Sequence, residues 1–285
     1  MDSILQNLDR KDIKTCMLVC HAWLSWAERI FHSRPRITSA QSMERFIQFA
    51  KAKGIGGSVR HLHIVGKINY SSMDPTPWIL EAPARLGPVT PNVLSLHFQN
   101  VEGVAFTEMF WVGISRFFRQ VTNLHIHACR ILSQSDAQGL VSAFPRLASL
   151  TIDHVRWPRP KEADRPVRPW WADARPVQPL RSVEFGDMDT DEVSDAFGWV
   201  VCSAATVRHM TFGHNSQQAL YTLAQYLPRF GLQSLTFNPT MGRPSDTSEC
   251  PFFSGAASLE PTTRANASPL SFRASSLREL VLRRT

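Results

Sequence analysis

Val121-Thr122-Asn123-Leu124-His125-Ile126-His127-Ala128-Cys129-Arg130-Ile131 is the stretch on which the fold turns. Side chains alternate across an extended strand, so Leu124 and Ile126 share one face and His125 the other. Valine 121, three residues earlier, belongs to the apolar series, and Cys129 and Ile131 extend it. Taken alone, an apolar-x-x-apolar-x-apolar hexapeptide arises easily by chance. Here it recurs at Val59-Leu62-Ile64, Val93-Leu96-Phe98 and Leu147-Leu150-Ile152. Further copies are Leu180-Val183-Phe185, Val207-Met210-Phe212, Leu232-Leu235-Phe237 and Leu277-Leu280-Leu282. The first seven copies recur on average about every 29 residues, a period typical of stacked repeat architectures.

Between copies the apolar period changes from 2 to 3.6. Helical patterns run through Met43-Phe46-Ile47-Ala50, Phe106-Phe110-Ile114-Phe117 and Leu140-Val141-Phe144. Others run through Val193-Phe197-Val200-Val201 and Leu220-Leu223-Ala224-Leu227. Ser39, Ser133 and Ser216 are candidate N-caps. Lys53-Gly54-Ile55-Gly56-Gly57 reads as a helix end followed by a turn. Each unit is therefore strand, turn, helix, and parallel stacking of such units would bury one continuous apolar core. The expected class is α/β.

The longer pattern Leu-x-x-Leu-x-Leu-x-x-[Asn/Cys]-x-Leu is met throughout by Val121 to Ile131, and mostly by Val207-Met210-Phe212 with Asn215. On these residues the chain resembles leucine-rich-repeat proteins in an irregular form. The resemblance implies a solenoid over residues 34–285, with parallel strands on a concave face and helices on the convex one. Two insertions would interrupt it. Residues 156–179 hold six prolines around Trp170-Trp171, and proline cannot donate to a strand ladder. Residues 238–276, rich in Pro, Ser, Thr and Ala, read as a loose loop.

Ahead of the array, residues 1–33 carry Ile4-Leu5-x-x-Leu8-Asp9, Asp12-Ile13 and Leu18-Val19-Cys20-His21-Ala22-Trp23. They read as two short helices split by Asp9-Arg10-Lys11-Asp12, with Asp9 or Asp12 available to cap the second. Ile13, Cys16, Met17 and Cys20 would share one helical face, and Trp23, Trp26, Ala27 and Ile30 another. Periodicity alone allows a plain helical cap on the following domain. The residue order resembles the F-box, the helical motif that docks on the Skp-type adaptor of SCF ubiquitin ligases. Its Leu-Val-Cys-[Arg/Lys/His]-x-Trp ending is present and its leading Leu-Pro-x-Glu is absent. The resemblance implies an adaptor contact through Ile4, Leu5, Leu8, Ile13, Leu18, Val19 and Trp23, with an unidentified protein substrate held by the repeats. The incomplete motif, and a last copy that stops near Thr285, suggest a fragment.

The position between the last two apolar residues of each copy should face solvent. Along the chain it is His63, His97, His125, Thr151, Glu184, Thr211, Thr236 and Val281, with His61, Asn123, His127, Asp153 and His209 beside it. Parallel strands lie about 4.8 Å apart, so His63, His97 and His125 should form a column if their repeats are neighbours. That column reads as ordinary solvated residues, as a substrate-recognition ladder, or as a metal site; for the last, histidines without a nearby carboxylate or thiolate make a thin case, and no metal or cofactor is expected. Unperturbed imidazole titrates near 6.5, so partner binding could respond to mild acidification. Trp170 and Trp171, flanked by arginines, are either a binding hot spot or a cover for the array's edge.

The remaining features mostly exclude. The net charge is +7, and residues 156–181 alone hold seven basic against three acidic side chains. Such a local excess is weak support for nucleic acid as a partner. Five scattered cysteines without a Cys-x-x-Cys pair read as reduced thiols. No apolar run approaches eighteen residues and no secretory signal is recognisable, which favours a soluble protein of the cytoplasm or nucleus, away from membranes. Neither a phosphate-binding loop, nor a Gly-x-Ser-x-Gly elbow, nor a His-Glu-x-x-His motif occurs, so no catalytic residues and no enzyme are expected.

Overall fold

The structure, a computed structural model, describes residues 10–67, 77–101, 108–130, 143–156, 180–186, 206–213, 232–237 and 270–273. The chain is α/β and divides into two compact units, Met1–Ala148 with Val155–Arg165, and Ser149–His154 with Pro166–Thr285.

In the first unit, helices α1 (Arg10–Cys16) and α2 (His21–Ser33) lead into strand β1 (Arg36–Ile37) and helix α3 (Ala40–Lys53). Strand β2 (His61–Val65), helix α4 (Pro77–Leu86), strand β3 (Ser95–Gln99), helix α5 (Glu108–Phe117) and strand β4 (Asn123–His127) follow. The four strands pair in parallel in chain order. Their register aligns the repeat copies residue for residue, so Leu62, Leu96 and Leu124 form one row and Ile64, Phe98 and Ile126 the next. All six are buried, as are Val59, Val93 and Val121. Burying such side chains stabilises by about 1.5–3 kcal/mol each, which makes these rows the main force fixing the register.

Helix α3 starts at a reciprocal cap. The Ser42 backbone N–H donates to Ser39 Oγ at 3.1 Å and the Ser39 N–H donates to Ser42 Oγ at 2.9 Å. It ends on Gly54 in the left-handed region at φ 64°, a conformation that costs glycine little. Met43, Ile47 and Ala50 face inward. Helix α4 packs on α3 and α5; it is not among the helices expected, and Pro83 lies within it. Gly113 of α5 makes room for that proline, since a Cβ there would come within 2.9 Å of Pro83 Cβ.

In the second unit, β5 (Ser149–Asp153), β6 (Ser182–Phe185), β7 (His209–Phe212) and β8 (Ser234–Phe237) are parallel in chain order. Leu150, Val183, Met210 and Leu235 make one buried row. Strand β9 (Leu270–Arg273) pairs antiparallel with β8. It lies inside 238–276, the stretch expected to be a loose loop, and so corrects that expectation at its end.

Three of the strands end in a left-handed residue. The residue after β3, β4 and β5 is Asn100, Ala128 and His154, each with φ near 50°. After β2, β6 and β7 the same place holds Gly66, Gly186 and Gly213, none of which is in the left-handed region. Gly66 and Asn100 donate their backbone N–H to Gln99 O at 2.8 Å and His127 O at 3.1 Å, carrying the ladder one step past the strand. Beyond the turn after β4, the Cys129 thiol donates to His127 O at 3.2 Å, and burial pushes its pKa up to about 12. It is an inert core thiol.

The helical segment differs in detail from its periodicity. Helix α1 already includes Arg10, Lys11 and Asp12, so no Asp9–Asp12 turn separates it from Ile13. It stops at Cys16. Cys20 is exposed and serves as the N-cap position of α2, and so leaves the apolar face expected of it. Ile13, Ala27 and Ile30 are buried together, with Cys16, Met17, Trp23 and Phe31 packed against them.

The helices expected through 193–201 and 220–227, the caps Ser133 and Ser216, and the eighth copy at 277–282 lie outside the described residues. So does the insertion from 157 to 179. Among the described residues, no helix is long and apolar enough to cross a membrane.

Candidate functional site

The register that aligns the buried rows also aligns the opposite face of the first unit. His63 pairs with His97, and His97 with His125. Their rings form a column. The centroids of His63 and His97 are 4.0 Å apart with planes 1° from parallel, and those of His97 and His125 are 4.1 Å apart at 7°. These spacings are shorter than the interstrand distance of about 4.8 Å, so the rings lean into contact. His127, two residues along β4, stands edge-on to both neighbours, 6.4 Å from His97 and 6.2 Å from His125. Arg36 extends the row on β1 opposite His63, and Gln99 lies opposite His127.

Contact changes the chemistry of these rings. All four histidines are half-buried, and Nε2 of both His63 and His97 is buried without a hydrogen-bond partner. Burial, reinforced by the Arg36 charge, lowers the His63 pKa to about 4 despite a hydrogen bond to the Gln99 side chain that opposes the shift. Burial, then the neighbouring imidazoles His63, His125 and His127, lowers His97 to about 3. Exposed His61, at the edge of the face, is lowered by burial and by Arg34. At neutral pH His63 and His97 are therefore uncharged, because a proton on either ring would be both desolvated and close to its neighbours. His63 and His97 are not ordinary solvated histidines, and they do not titrate in the mildly acidic range expected of free imidazole.

The equivalent row in the second unit is Thr151, Glu184, Thr211 and Thr236. There the Thr151 hydroxyl donates to the Glu184 carboxylate at 3.2 Å, and His209 Nδ1 lies 2.8 Å from Ser234 Oγ. Rings stack in one unit and hydroxyls bridge in the other. Both faces present hydrogen-bonding groups from rigid strands.

The residues implied in adaptor contact divide by exposure. Leu18 and Val19, in the turn between α1 and α2, are 86% and 66% exposed. Ile13 is buried with Ala27 and Ile30, and Trp23 is half-buried against the same cluster. Ile4, Leu5 and Leu8, together with Trp170 and Trp171, lie outside the described residues. Sequence reasoning named the column but missed its burial and the Arg36 position at its end. A two-residue strand carries too short an apolar pattern to be noticed. No family model matches the chain, and no curated protein matches its sequence significantly.

Proposed function

We propose that this chain is a non-catalytic substrate-recognition subunit of an SCF-type cullin–RING ubiquitin ligase. The helical segment docks the Skp-type adaptor and the strand face of an irregular leucine-rich-repeat solenoid holds a target protein. The observation that carries the reading is the turn between α1 and α2. Leu18 and Val19 stand in water while Ile13 of α1 packs with Ala27 and Ile30 of α2. Two adjacent exposed aliphatic side chains on a supported turn suit insertion into a partner's apolar pocket, and each would contribute about 1.5–3 kcal/mol on burial. In this reading the chain brings target and ligase together by effective concentration and makes or breaks no bond. Such a ligase would work in the cytoplasm or nucleus.

A pull-down with purified Skp-type adaptor tests this. The folded wild-type chain should retain the adaptor, Leu18→Asp should lose it, and Trp23→Ala should weaken it. A second reading, a repeat scaffold that does not join a ligase, draws on the packing of Ile13 and Trp23 within the chain's own cluster. It predicts no retention by the wild-type chain.

A further inference from the structure

We propose that Arg34-Pro35-Arg36, at the β1 edge of the strand face, clamps an extended acidic segment of a target protein, one guanidinium on each of two carboxylates spaced i, i+2. The proposal rests on the reading of this face as the one that holds the target, and it names the chemistry of that target.

Burial alternates along the segment. Arg34 and Arg36 are exposed while Pro35 and Ile37 are buried, so the period-2 geometry of extended chain sends both arginine side chains out on one side. Proline fixes its own φ and biases the residue before it toward extended backbone. The backbone N–H groups of Arg60 and His63 donate to Ser33 O at 3.1 Å and Pro35 O at 3.0 Å, which pins the segment to β2. Arg36 lies in register with His63. Side chains two apart on extended chain repeat at about 6.5 Å. A partner in the same conformation repeats its same-side carboxylates at that distance, so both pairs form together.

Charge decides what fits. None of the residues of β1 to β4 is acidic. Residues 29–73 hold eight basic side chains against one acidic, Glu44, and Glu44 is already paired with Arg85. Among the described residues no carboxylate pairs with Arg36. Guanidinium forks match carboxylates bidentately. Single-stranded nucleic acid is disfavoured, because it needs free ring faces on which bases stack. Here His63 and His125 cover both faces of His97.

The probe is a fluorescein-labelled peptide of alternating Glu and Ser, titrated with the full chain and read by anisotropy. Saturable binding is expected, weakening as salt rises. Arg34→Gln and Arg36→Gln should each weaken it about fivefold, the size of a good exposed ion pair. Lys51→Gln, on exposed α3 surface, should leave it unchanged. The same peptide with Gln in place of Glu should not compete on the wild type, a readout that needs no variant. The proposal is overturned by absence of saturable binding, by Arg36→Gln binding as tightly as wild type, or by equal competition from the Gln peptide. It is also overturned if oligothymidine displaces the probe more effectively than unlabelled acidic peptide does. An adaptor pull-down on the same preparation separates the two readings. Adaptor retained without peptide binding overturns this proposal alone, and peptide bound without adaptor overturns the ligase reading alone.

Discussion

His63 and His97 face each other in register across β2 and β3, and their rings stack at 4.0 Å with planes 1° from parallel. The contact holds two imidazoles uncharged on a surface where free histidines would begin to protonate below about pH 6.5. The same strand register that buries the leucine and phenylalanine rows therefore builds an aromatic, hydrogen-bonding strip on the opposite face.

Acid should unfold this chain through that column. As pH falls below about 6.5 the unfolded imidazoles take up protons, while folded His63 resists until about pH 4 and His97 until about pH 3. The unfolded state then binds more protons, so stability is fully present above about pH 7 and is lost progressively down to about pH 3–4. Chemical denaturation across that range should show the fall, and His63→Gln with His97→Gln should flatten it. An unchanged slope in the double variant would remove the column as its source.

Ile13 and Leu18 are five residues apart and should behave oppositely. Ile13 is 3% exposed within the helical cluster, so Ile13→Ala should cost about 2–4 kcal/mol of the stability of that segment. Leu18→Ala, at a side chain in water, should change it by less than about 0.5 kcal/mol. Hydrogen exchange of α2 amides distinguishes the two.

Ala128 holds φ 49° after β4, in the left-handed region. A Cβ in the left-handed region is strained by about 1 kcal/mol, so Ala128→Gly should raise the melting temperature. The measurement is thermal unfolding by circular dichroism, and a lower melting temperature would contradict the prediction.

The Ser39–Ser42 cap predicts that Ser39→Ala destabilises by about 1 kcal/mol. Ser39→Asp should recover most of it, because a carboxylate accepts the same N–H bond and favours the helix N-terminus. Urea midpoints of the three proteins provide the check.

What the sequence made legible was whatever depends on alternation. Leu62, Leu96 and Leu124, and the rows beside them, follow directly from period-2 patterning, and His63, His97 and His125 follow as their opposite face. Ser39 and Gly54 announced the ends of α3. Helix α4 was hidden because Pro77 and Pro83 read as breakers, although Ile79, Ala82, Pro83 and Leu86 keep helical spacing and are buried. Cys20 misled because its i+7 spacing continues a helix that in fact ends at Cys16. The lowered pKa of His97 was not legible at all, since it depends on rings that approach only when three strands lie side by side.

The most direct test is the affinity of the full chain for a Skp-type adaptor, measured by calorimetry for wild type, Leu18→Asp and His97→Gln. The account predicts one-to-one binding by wild type, loss of at least tenfold in affinity for Leu18→Asp, and unchanged affinity for His97→Gln, because docking and recognition use separate surfaces. No binding by the folded wild-type chain, or equal binding by Leu18→Asp, would contradict it.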